Sequence, residues 1–296
     1  MKPKLNWAEQ ASLMSSRGLV IEDADACISF LTTHNYYRFS GYARYFQQSP
    51  QDGDDRFCEG INFDDIRKVY EADATIREIL ACQLARAEIL LRTHTAYVIA
   101  HEYGPYGEYL ETAFYSDVDA DESTAEFCLH DIRRSKERYI LHYKGEDSSF
   151  ADLPIWSAVE ALSFGTLSKC IERGALGELH PKIATSLGVA KAGFAYRVRS
   201  LVYLRNRCAH HSRLWNHSVL DAGPTPNNVR VKAKRKAGQF QPRSVMDVVA
   251  SLDDIVVKGK AGEAVLPQLV ERYRSDKIIW DGFVDPRPTA DHFLKV

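Results

Sequence analysis

A chain of 296 residues, 45% hydrophobic and 26% charged, is long enough to bury a substantial core and is not composed like a disordered protein. Its first twenty residues lack the apolar run of a secretory leader, and no window approaches the ~20 continuous apolar residues of a membrane span, so a cytoplasmic protein with no membrane contact is expected. Six scattered cysteines without a Cys-x-x-Cys pair fit reduced thiols, and the net charge of −2 gives by itself no sign of a polyanionic partner.

Helical periodicity dominates from the start, and no internal repeat is evident. Segments 6–16 and 23–33 read as short helices behind polar caps. The aromatic stretch NYYRFSGYARYF follows (Asn35 to Phe46). Its rings at helical spacing are core rather than a platform for stacked bases. Segment 50–60, with two glycines and several acids, reads as a loop. Across 62–102, apolar residues recur at three- and four-residue steps from Ile66 to Leu91, the clearest amphipathic signal in the chain. An unbroken helix there would run ~60 Å, so a kink or break is expected before Gly104-Pro105 ends it.

Segment 122–144 reads as a second long helix, and 152–173, with Pro154 in its first turn, as a third. A short helix at 180–186 leads into a fourth long one at 190–211. The pattern breaks at 223–228, the basic stretch from Arg230 to Arg243 reads as an exposed loop or hairpin, and helices at 244–257 and 262–274 close the chain. The fold class is all-α: one domain over 1–296, with a helical core at about 62–217 and the basic loop and C-terminal helices at 222–296.

Charge is segregated along this path. Between Leu179 and Met246, thirteen Lys and Arg face one acid, Asp221, a net +12 that leaves −14 for the remainder of a chain whose total is −2. Such a block is a footprint of nucleic-acid or phosphate binding, or else a solvated face balanced by acids elsewhere in the fold. Arg199, Arg207, Arg213, Lys232, Lys234, Arg235 and Lys236 are the candidate RNA contacts.

Within the block, Tyr203-Leu-Arg-Asn-Arg-Cys-Ala-His-His-Ser-Arg-Leu-Trp-Asn216 sits where the fourth long helix frays. Asn206 and His210, four apart, share a helix face. Arg205 and His210 are about 140° apart on an ideal helix and converge only where it ends or bends. RNA cleavage needs the ribose 2′-OH deprotonated, the leaving 5′-oxygen protonated and the phosphorane charge stabilised. Histidine exchanges protons near neutrality, and arginine clamps phosphate oxygens through a planar fork. Asn206 can orient the histidine or hold the phosphate, and no metal or other cofactor is required. Glu160, four residues after Trp156, is either a buried carboxylate that fixes Arg205 or a surface acid. Two rival readings are weaker. His210, His211 and His217 as metal ligands would need more than Asp221 to complete the set, and Cys208 as a nucleophile would need an orienting group and an oxyanion hole.

The hexad Arg205-Asn206-Arg207-Cys208-Ala209-His210 resembles the signature of HEPN-superfamily ribonucleases. The longer RNRCAHHSRLWN, with NYYRFSGYARYF and LPIWSAVEALSFGTLSK (Leu153 to Lys169), resembles the Abi-like abortive-infection family. That resemblance implies a HEPN-like helical bundle with added N- and C-terminal helices, often a homodimer. It also implies a metal-independent endoribonuclease, leaving 2′,3′-cyclic phosphate ends, that serves antiviral defence or acts as a toxin held by an RNA or protein antitoxin. By motif position Arg205 and His210 are the catalytic pair and Asn206 supports them, with His211 competing for the acid–base role. A non-catalytic module that binds RNA or a partner is the alternative.

Overall fold

The computed structural model describes residues 4–117, 122–146, 149–220, 223 and 225–287; Asp221, Pro224 and both chain ends lie outside them. The first two helices, α1 (Trp7–Ser16) and α2 (Ala24–Thr33), begin at Asn6 and Asp23, whose side chains accept the N–H of Glu9 and Ala26. The aromatic stretch forms α3 (Tyr36–Ala43) and a turn after it, burying Phe39, Tyr42 and Phe46 while Tyr37 faces solvent. Most of these rings are core. Where a loop was expected, β1 (Gln47–Ser49) and β2 (Asp54–Phe57) pair antiparallel, and left-handed Gly53 turns the chain between them.

The expected break in the first long helix is absent. α4 (Phe63–Glu102) runs 40 residues from an Asn62/Asp65 capping box, about 60 Å at 1.5 Å per residue. It contains no glycine or proline. Two other long helices break where continuity was expected. α5 (Thr124–Arg134) and α6 (Arg138–Leu141) part at Ser135, whose backbone is extended, in a stretch where apolar spacing lapses between Ile132 and Ile140. α7 (Ile155–Ala161) and α8 (Phe164–Arg173) part at Leu162 and Ser163, and Ser163 Oγ starts the new helix by accepting the N–H of Thr166. α9 (Leu179–Ser186) and α10 (Phe194–Ala209) follow.

The basic stretch is not a loop. It forms α11 (Asn227–Ala237), which buries only the small side chains Ala233 and Ala237, so its amphipathic signal is weak. α12 (Val245–Lys258), α13 (Leu266–Tyr273) and an unanticipated α14 (Lys277–Val284) close the fold, which is all-α apart from the small hairpin. α3, α7, α8, α9, α10, α12 and α14 pack along α4, and one cluster of buried apolar side chains extends from Ala11 to Val284. With cover along its whole length, α4 has no reason to bend. Among the described residues, no helix is long and apolar enough to cross a membrane.

Candidate active site at the end of α10

α10 ends in a Schellman turn. The N–H of Ser212 bonds to Arg207 O at 2.8 Å and that of His211 to Cys208 O at 3.1 Å, with His210 as the capping residue. His211 therefore occupies the left-handed position (φ 53) that glycine usually takes. Both imidazoles are exposed.

One turn earlier, Arg205 is one-third exposed and held from three sides. Its Nε and Nη2 donate to the Glu88 carboxylate at 3.2 and 3.4 Å, its Nη1 donates to Asn206 Oδ1 at 3.1 Å, and its guanidinium lies over the Phe164 ring, 5.4 Å from the centroid. Glu88 is on α4, 117 positions away in sequence. It is shared with Arg92, whose Nη2 donates to it at 2.6 Å. Arg92 also donates to Val159 O and, at 2.9 Å, to Leu162 O, two carbonyls at the C-terminal end of α7 where the next helix has not yet begun. A chain of charges, Arg92 to Glu88 to Arg205, thus ties α7 through α4 to α10.

The carboxylate on Arg205 is Glu88, not Glu160. Glu160 is exposed on α7 and pairs with no cation among the described residues. Neither histidine accepts a hydrogen bond from Arg205, whose donors go to Glu88 and Asn206.

The loop after the motif is fixed by a buried hub. Asp73 on α4 accepts the N–H of Leu214 at 3.1 Å and of Trp215 at 2.9 Å, together with Tyr42 Oη and Arg77 Nη1. Trp215 lies among Tyr42, Tyr45 and Phe46. Arg38 donates to His211 O, and Arg213 to Gly41 O and, at 3.1 Å, to Tyr45 Oη. The three stretches singled out in the sequence meet here: the aromatic one through Arg38, Gly41 and Tyr45, the 153–169 one through Phe164 and the carbonyls of Val159 and Leu162, and the motif itself. Sequence reasoning missed Glu88, Arg92 and Asp73, and left Arg38 without a role. Nothing in the local pattern marks Glu88, Arg92 and Asp73 beyond their being charged residues on α4.

The candidate RNA contacts divide. Arg207 donates to Arg213 O, and Arg213 to α3 and Tyr45, so both hold the loop in place. Arg199 lies 3.5 Å from Glu172, and Lys234 sits over the Phe240 ring. Lys232, Arg235 and Lys236 are exposed on α11. The basic block is balanced in part by acids from elsewhere: Lys182 pairs with Glu102, Arg197 with Asp254, Arg205 with Glu88 and Arg230 with Asp247.

The geometry also bears on the rival chemistries. His217 Nε2 lies 2.7 Å from Tyr203 Oη and its ring stacks on that tyrosine. Among the described residues, no three of His, Cys, Asp and Glu are grouped as a metal ion needs. Burial pushes the Cys208 thiol up to about 12, which keeps it protonated and poorly nucleophilic at neutral pH.

Comparison with known proteins agrees with the resemblance to the Abi-like family. A family model described as Abi-like protein matches residues 29–216, which takes in all three stretches and every residue of the site. No curated protein and no solved structure matches the chain.

Proposed function

The chain belongs to the Abi-like protein family, and from that premise we propose that it is a phage-defence effector that cuts RNA without a metal, at the exposed end of α10. The observation that carries the reading is that three separate sequence stretches meet at the end of α10, which bears a partly exposed guanidinium and, five and six positions on, two exposed imidazoles. A guanidinium has five N–H donors, and Arg205 commits three of them to Glu88 and Asn206, which leaves two aimed by a fixed frame for phosphate oxygens.

In the proposed reaction one histidine takes the proton of the ribose 2′-OH as the 2′-oxygen attacks phosphorus. The other, protonated, gives its proton to the 5′-oxygen as the P–O5′ bond breaks. The products are a 2′,3′-cyclic phosphate and a 5′-hydroxyl. Arg205, with Asn206 beside it, neutralises the charge that builds on the phosphorane. His210 and His211 divide the two transfers, Lys232, Arg235 and Lys236 guide the RNA backbone, and two copies of the chain bring their sites together as a homodimer. An RNA or protein antitoxin that covers α11 or the end of α10 would silence it.

Purified protein incubated with total RNA in EDTA tests this. Cleavage persists under chelation, leaves cyclic phosphate ends, and falls by at least ~10²-fold in Arg205→Ala and in His210→Ala. A second reading, RNA binding without cleavage, is favoured by the absence of any hydrogen bond from Arg205 to His210 or His211. Tight binding of intact RNA by the wild-type protein would select it. Cleavage lost in EDTA and restored by zinc or manganese would replace the mechanism with a metal-dependent one.

A further inference from the structure

Arg92, which holds Glu88 against Arg205, also lines a groove of about 420 Å³ between α4 and α7. Tyr97 and His101 of α4 and Trp156 and Glu160 of α7 form its walls. Trp156 and Tyr97 are 52% and 58% exposed, although large aromatic faces gain from being covered. Both rings are braced. Tyr106 sets its ring edge-on to Trp156, with centroids 6.3 Å apart, and His101 lies against Tyr97 at 4.0 Å. The side chain of Glu160, which Arg205 does not use, makes no hydrogen bond or ion pair among the described residues.

Fixed, exposed rings beside an uncommitted carboxylate are the parts that recognise an unpaired nucleobase: the ring stacks and the carboxylate accepts from the base edge. Only guanine offers two adjacent donors, N1–H and N2–H, to the two oxygens of one carboxylate. A cavity of this size suits one small planar group, not a protein helix. Arg92 in its wall is tied through Glu88 to Arg205, so the groove and the motif share one frame of hydrogen bonds. Resting on the RNA-cleavage reading, we infer that this groove is a base subsite. It stacks an unpaired guanine on Trp156, reads it with Glu160, and so makes cleavage prefer sites next to guanine.

Short 2′-O-methylated oligonucleotides, one all-uridine and one with a central guanosine, test the subsite on the full-length protein, because they lack the nucleophile and report binding alone. The guanosine oligonucleotide binds more tightly and quenches tryptophan fluorescence. Trp156→Ala weakens its binding about tenfold or more, whereas Trp156→Phe retains most of the affinity and loses most of the quenching. Glu160→Gln removes the preference for guanosine and leaves uridine binding unchanged. Both side chains are exposed, so thermal melts of all three variants match the wild type.

Unchanged affinity and preference in Trp156→Ala and Glu160→Gln, with cleavage intact, would overturn the subsite and leave the nuclease reading standing. An absence of cleavage in the wild type, with guanosine preference still lost in the variants, would keep the subsite and remove the nuclease. If Trp156→Ala instead turns a sedimenting dimer into a monomer without altering RNA affinity, the face belongs to self-association and the subsite is wrong.

Discussion

His211 stands in a backbone conformation that disfavours any residue with a Cβ, by roughly 1 kcal/mol. Glycine in its place relieves that cost and keeps the Schellman turn that ends α10. His211→Gly is therefore expected to raise the melting temperature by about 2 °C while slowing RNA cleavage ~10²-fold or more. Calorimetry and a cleavage assay on the same preparation check both halves. A more stable variant with full activity would take His211 out of the chemistry. The sequence made Arg205 and the histidines conspicuous because Arg205 and His210 stand together in one hexad with His211 directly after it. Glu88 was illegible by contrast, since nothing at position 88 announces a partner 117 positions away. Glu160 looked like the natural partner because it lies in one of the stretches that carry the resemblance, yet helix geometry turns it outward to solvent.

At the scale of elements, the stretch from Ser212 to Asn216 has no helix or strand of its own. It owes its shape to Asp73, which takes two of its backbone N–H groups, and to the aromatic bed beneath Trp215. Removing one member of a buried charged network leaves the other unpaired, so Asp73→Ala is expected to destabilise the protein by about 3–5 kcal/mol. Urea denaturation measures that loss, and limited proteolysis locates the loosening between Arg213 and Asn216. A loss under about 1 kcal/mol would mean that the hub does not hold the loop. Helix starts were readable where a short polar side chain precedes the apolar pattern, as at Asn6 and Asp23. Interruptions were not. Ser163 starts a helix inside what reads as continuous amphipathic sequence, because the carbonyls freed there are taken by Arg92 from another element. Alanine-faced α11 hid for the opposite reason: its buried side is too small to register against so many charges.

For the molecule as a whole, the linear charge block overstates the basic surface. Several of its cations are paired with acids that the fold brings in from distant segments, and three of those left in water, Lys232, Arg235 and Lys236, gather on α11. Replacing Lys232, Arg235 and Lys236 together with alanine should weaken RNA binding whatever the sequence of the RNA. It should also reduce the slope of log affinity against log salt by about 2, from the counterions that three fewer contacts release. Binding measured over a range of salt concentrations tests this, and an unchanged slope would remove α11 from the RNA path.

α4 brings together constraints that the other helices meet one at a time. Along this uninterrupted rod, Asp73 anchors the loop after the motif, Glu88 holds Arg205, and Tyr97 borders the groove. Deleting one residue between Arg77 and Glu88 would turn everything beyond it about 100° around the axis and draw it back about 1.5 Å. Glu88 would then swing off the guanidinium while Asp73 stayed in place. The hairpin of β1 and β2 can absorb an insertion at its turn, but α4 admits a change of length only at its two tips.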